Sequence, residues 1–150
     1  MIAQAYGFEY IEVPNLPLGR KLNARLQYAK QFNPDYILGM GSDDLLNRYA
    51  ILEHLKRMQD GIDFMGFKDI YYYDAISKEM IYNCGYTNHR EGETIGAGRM
   101  ISKKILEAVD YKLWDDSLNS GLDASMTRKL SELDFTTSVI HLKGTDAALL

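Results

Sequence analysis

The feature that most constrains this chain is the stretch Tyr36-Ile37-Leu38-Gly39-Met40-Gly41-Ser42-Asp43-Asp44. An apolar run of strand character stops abruptly at two small residues and two adjacent carboxylates. In an open α/β sheet, ligands bind just beyond the carboxyl ends of the strands. A carboxylate pair there, with no Lys or Arg beside it, is costly unless something positive arrives. The usual visitor is a divalent cation bridging phosphate oxygens. Asp43 and Asp44 are therefore the first candidates for a functional site.

The elements around this stretch alternate. Ile2 to Tyr6 reads as the tail of a helix stopped by Gly7, a common glycine position after a helix end. Phe8 to Val13 alternates aromatic and β-branched residues and predicts a strand ended by Pro14. Leu22, Leu26 and Ala29 recur at helical spacing between Gly19 and Phe32, and Pro34 closes that element. Tyr36 to Met40 is the next strand. Leu45 to Met58 follows as a helix with Leu45, Leu52, Leu55 and Met58 facing the core. Ile62 to Phe67 and Ile70 to Tyr73 are strands, and Met80 to Asn83 pairs back as a hairpin. Thr94 to Ile101 is extended and broken by glycines. Ser102 caps a short helix to Val109, Leu122 to Leu133 is helical, and Phe135 to Ile140 is a last strand. The order predicts an α/β domain, its first half wound like a nucleotide-binding fold and its second half built on a more mixed sheet.

Composition narrows the class. A chain of 150 residues, 46% hydrophobic and 25% charged, has the make-up of one globular domain. A net charge of −4 argues against broad nucleic-acid binding, which needs a basic surface to displace counterions. A small anionic ligand held through a metal remains compatible. The single Cys84 has no partner for an internal disulfide, which points to a reducing compartment. No apolar run approaches the roughly 20 residues that span a bilayer, and Met1 to Tyr6 lacks the marks of a signal peptide. A cytoplasmic protein is the expectation.

Two blocks of sequence carry a family resemblance. Val13-Pro14-Asn15-Leu16-Pro17-Leu18-Gly19-Arg20-Lys21-Leu22-Asn23-Ala24-Arg25-Leu26, followed by Asp35 to Asp44, resembles the turn, helix and acidic strand end of family 2 glycosyltransferases of the GT-A fold. Gly96-Ala97-Gly98-Arg99 before a capped helix is similar to that family's acceptor-side strand. Trp114-Asp115-Asp116-Ser117-Leu118, Gly121-Leu122-Asp123 and Arg128-Lys129-Leu130 resemble its "D-E-x-L…G-E-D…R-L" block. The similarity spans almost the whole chain, and the order and spacing of the motifs make it more specific than any one of them.

The resemblance implies a GT-A-like fold, a Rossmann-like nucleotide-sugar-binding three-layer sandwich with a mixed sheet, in one domain over 1–150. It implies metal-dependent, inverting transfer of a sugar from a nucleotide-diphosphate sugar to an acceptor hydroxyl, with Mn²⁺ or Mg²⁺ as cofactor. Asp44 would ligate the metal, joined by His141 after the last strand. Asp43 would contact ribose or the metal shell, and Ser42 would add a hydroxyl. Lys21, Asn23 and Gly96 complete the donor side. Asp123 is the implied base that takes the acceptor's proton, although Leu122 stands where the family has its first acid. Asp115 and Asp116 are fallbacks.

Each assignment has a structural alternative. The Asp43–Asp44 pair would cap a helix starting near Leu45, and Lys21 and Asn23 would be a solvated lysine and a capping asparagine. Trp114 stacks on a sugar or packs in the core. Gly96 and Gly98 admit a ligand or form a bulge, and His141 is a ligand or a structural histidine. His89 borders an acceptor cleft. Tyr71-Tyr72-Tyr73 covers a sheet with alternating faces or forms an aromatic platform. The family's opening βαβ unit has no counterpart ahead of Phe8. The expectation is a domain truncated at its N-terminus, with a sheet edge and an apolar face covered by a loop, a complementing chain or a second copy. A non-catalytic binding or assembly module on the same fold is the second functional class.

Overall fold

A computed structural model of the chain describes residues 5–142. It is a mixed α/β protein. The chain divides into two compact units, Met1–Pro34 with Leu106–Asp134, and Asp35–Ile105 with Phe135–Leu150.

The second unit carries the sheet. Its strands are β1 (Tyr36–Gly39), β2 (Phe64–Phe67), β5 (Arg99–Ser102) and β6 (Thr137–Ile140), in the order β1-β5-β2-β6. β5 runs antiparallel to both β1 and β2, whereas β2 and β6 are parallel. Strands β1, β2 and β6 therefore point the same way. Their carboxyl ends share one edge, where Gly41 to Asp44, Asp69 and His141 emerge. β2 and β5 are buried along their whole length, as expected for strands with neighbours on both sides. Phe67 and Ile140 pack with Ala50 of helix α2 (Arg48–Gln59). Each such side chain contributes about 1.5–3 kcal/mol by leaving water. A separate hairpin pairs β3 (Ile70–Tyr73) with β4 (Met80–Asn83) in antiparallel register, Tyr72 opposite Ile81.

The first unit contains α1 (Leu18–Ala29), extended by a 3₁₀ turn over Lys30–Phe32, and α4 (Leu122–Leu130). The connecting helix α3 (Lys103–Ala108) carries the boundary between the units. A Cβ on Gly19 would lie 1.9 Å from the Asp115 carbonyl oxygen, so only glycine lets α1 approach the 115–118 turn. Gly19 N–H donates to Leu118 O there at 2.8 Å.

Three expectations need correction. Phe8 to Val13 forms no strand: the segment has no regular secondary structure and pairs with nothing in either sheet, and Phe8 and Tyr10 are exposed. Alternation supplies a strand's faces but not the partner edge that makes it a strand. Helix α2 begins at Arg48 rather than Leu45, because Asn47 is its cap, accepting from Ala50 N–H at 2.8 Å. Its buried residues are Ala50 and His54, whereas Leu45, Leu52 and Leu55 are exposed together with Ile51. The helix tail expected over Ile2 to Tyr6 lies largely outside the described residues. Gly7 does adopt the left-handed conformation, φ 69°.

Candidate functional site

The turn after β1 gathers the two carboxylates. Gly41 N–H donates to Asp44 Oδ2 at 2.6 Å, and Asp44 N–H reaches Gly41 O at 3.4 Å, closing the chain on itself. A Cβ on Gly41 would meet Asp44 Oδ2 at 2.9 Å and Asp43 Oδ1 at 3.0 Å. Both carboxylates thus converge beside Gly41. Among the described residues neither has a cationic partner. Because α2 starts after Asn47, the pair does not cap that helix. The capping alternative fails, and the pair is offset by one backbone N–H and by solvent rather than by a cation of the fold.

A groove of about 240 Å³ opens beside this turn, lined among others by Asp44, Ile70, Tyr72, Asn83, Tyr86 and Gly96. The hairpin supplies one wall. Ile70 and Tyr72 alternate along β3, and Asn83 stands opposite Ile70, so all three share one face. Tyr71 turns to the other face and meets the Tyr82 ring at 5.1 Å. Burial and a hydrogen bond to Asp69 push the Tyr82 hydroxyl up to about 12. The Arg90 guanidinium lies over the Tyr86 ring at 3.6 Å and pairs with Glu93 at 2.7 Å. Gly85 closes the wall where a Cβ would sit 2.0 Å from the Lys68 carbonyl oxygen. Ile95, Gly96 and Ala97, ahead of β5, also line the groove. A Cβ on Gly96 would meet nothing within 4 Å.

The sequence candidates distribute unevenly. Asp43, Asp44, Ser42, Gly96 and His141 belong to the sheet unit, and Lys21, Asn23 and Asp123 to the other. Asp44 and Gly96 share the groove; Ser42 is exposed in the turn. Among the described residues no three His, Cys, Asp or Glu side chains come together as a metal cage, so Asp43, Asp44 and His141 do not form one. His89 is exposed in a 3₁₀ turn, while Asn83 and Tyr86 of the same segment line the groove.

In the first unit, Lys21 Nζ donates to Asn15 Oδ1 at 2.7 Å. Asn23 is buried with its amide fully engaged. Its Nδ2 donates to Trp114 O at 2.7 Å and Asp116 Oδ1 at 2.8 Å, and its Oδ1 accepts from Trp114 N–H at 3.1 Å. Trp114 is buried and packs beneath Arg25. Asp115 accepts from the Ser117 backbone and hydroxyl, which hold its carboxyl below the ordinary range. Asp123 lies in the first turn of α4, after Gly121 in the left-handed conformation.

Sequence reasoning missed the groove walls Asn83, Tyr86 and Gly85. The available signal covered Asn83 alone, which the hairpin register sets opposite Ile70.

Comparison of the chain with protein-family models, with curated proteins and with solved structures found no match.

Proposed function

We propose that the Asp43–Asp44 turn and its groove form the donor site of a metal-dependent glycosyltransferase with a GT-A-like fold. The observation that carries this reading is the convergence on Gly41 of two carboxylates that have no cationic partner among the described residues, at the carboxyl end of β1. Two carboxylates without a third protein ligand fit a hard cation that completes its shell with phosphate oxygens and water, as Mg²⁺ commonly does. Asp44 and Asp43 would hold Mn²⁺ or Mg²⁺, which supplies charge neutralisation for a leaving diphosphate. Asp44, Tyr72 and Tyr86 line a space suited to a hydroxylated ring, with tyrosine side chains beside its C–H groups and a carboxylate for its hydroxyls. Gly96 leaves room for a ligand to approach the backbone. Asp123 is assigned the proton from the acceptor hydroxyl, by resemblance.

Thermal unfolding with UDP or GDP, with and without Mn²⁺, tests the reading, because a ligand of the folded state raises Tm by mass action. A metal-dependent rise that disappears in Asp44→Ala supports it; no rise, or a rise unchanged in that variant, overturns it. One observation favours the binding-module reading. The Asn23 amide, assigned to the donor loop by resemblance, has its donors and acceptor taken by Trp114 and Asp116. Nucleotide and metal binding without any transfer, alike in wild type and Asp123→Asn, would decide for that alternative.

A further inference from the structure

We infer that His54 is a positioning residue of the groove, acting through the carbonyl of Gly98. Helix α2 holds an imidazole at a position only 1% exposed while leaving Ile51, Leu52 and Leu55 in solvent. A leucine would fill that space without a polar atom to satisfy, so the ring's hydrogen bonds are what distinguish it. Its Nε2 lies 2.9 Å from Gly98 O, 44 residues away, and its Nδ1 lies 2.7 Å from Ala50 O. Both ring nitrogens thus face carbonyl oxygens, which can only accept. A neutral imidazole has one N–H. A proton on Nε2 gives Gly98 O a side-chain donor, and only a proton on Nδ1 as well keeps that nitrogen's lone pair from facing Ala50 O.

Gly98 is where such a donor matters. Its N–H donates to Gly39 O at 2.9 Å, two residues before Gly41. Its φ is 70°, and a Cβ would lie 2.4 Å from Phe67 Cε2. The same Phe67 ring meets His54 edge to face at 5.0 Å, and Phe67 O accepts from Ile95 N–H at 2.8 Å. The turn is thereby anchored at Ile95 and at Gly98. Between these anchors Gly96 and Ala97 form part of the groove wall, as Asp44 does. Holding the Gly98 carbonyl sets both that wall and the end of β1 from which the carboxylate turn departs.

The test reads tautomer, exchange and binding. Imidazole ¹⁵N spectra of the native protein should show the proton of His54 on Nε2; a proton on Nδ1 alone overturns the assignment. His54→Leu removes the donor, and His54→Gln returns an N–H at similar reach. Gly98 amide exchange should quicken about tenfold in the leucine variant, because the turn that presents its N–H to Gly39 O is no longer held at the Gly98 carbonyl. Exchange in β6 should stay unchanged, and the glutamine variant should restore protection. Equal protection in all three proteins overturns the inference. Should the leucine variant fail to fold, the tautomer and the glutamine variant still decide, since a glutamine without Gly98 protection contradicts the role. The functional arm rests on the donor-site reading: affinity for UDP with Mn²⁺ should fall about tenfold in His54→Leu and recover in His54→Gln. A wild type that binds no nucleotide counts against the donor site, while exchange and tautomer continue to judge His54.

Discussion

Two aspartate sites in the sheet unit are treated in opposite ways. Asp63, just before β2, is surrounded by donors. Ser102 Oγ and Lys104 Nζ reach it at 3.0 Å, and so does Thr136 N–H, with Thr136 Oγ1 at 3.2 Å. It ties the start of β2 to the end of β5 and the start of β6. Asp43 and Asp44, beyond the other end of the sheet, have one backbone N–H between them and no cation among the described residues. A carboxylate that serves the fold is saturated by the fold. One whose charge is left open is available to a ligand. The glycines repeat the contrast, since Gly98 is crowded by Phe67 whereas Gly96 faces open space.

The contrast breaks if the two sites respond alike to truncation. Asp63→Ala should cost about 1–3 kcal/mol in urea unfolding, because it removes the acceptor shared by the buried Ser102 hydroxyl, the Thr136 N–H and Lys104. Asp44→Ala should change stability by less than about 1 kcal/mol, because only an exposed turn bond is lost. Similar losses from both would erase the distinction. The glycine pair gives a smaller difference: Gly98→Ala should lose about 2 kcal/mol or more through its left-handed backbone and the Phe67 clash. Gly96→Ala should stay within about 0.5 kcal/mol of wild type, yet weaken binding in the groove.

Acid sharpens the same comparison. Burial raises the Asp63 carboxyl, but the hydrogen bonds from Thr136, Lys104 and Ser102 outweigh it and hold the group below its ordinary value. A carboxyl lowered on folding stabilises above its unfolded value, and that contribution is lost as pH falls through the folded one. Stability measured from neutral to acid pH should therefore fall below about pH 4, with a smaller fall in Asp63→Asn. The smallest effect belongs to Tyr82. With its hydroxyl raised to about 12, it favours the fold below pH 10 and loses that contribution as pH rises towards 12. In an absorbance titration, Tyr82→Phe should remove a late-ionising member of the 11 tyrosines.

Much of the fold was legible from periodicity. The strand at Tyr36, the hairpin of Ile70 to Asn83, the Ser102 turn into α3 and the helix from Leu122 all occur. What was not legible depends on partners distant in sequence. Phe8 to Val13 has a strand's alternation but lacks an edge to pair with. His54 is buried and Leu52 exposed because a carbonyl 44 residues away receives the ring. Asp63 passed unnoticed because its donors come from Ser102, Lys104 and Thr136, none of them near in sequence. The meeting of the Asp43 and Asp44 carboxylates was legible because both lie on one short turn. The groove walls came from a hairpin whose placement no local pattern encodes.

The central claim is that Asp43 and Asp44 are a ligand site rather than a structural turn. Paramagnetic broadening of backbone amide signals by Mn²⁺, with UDP present, measures it directly. Broadening centred on Gly41 to Asp44 and extending to Gly96 and Tyr72, and abolished in Asp44→Ala, is the predicted result. Signals at that turn left sharp by Mn²⁺ and UDP, or broadening that survives in Asp44→Ala, would contradict the account.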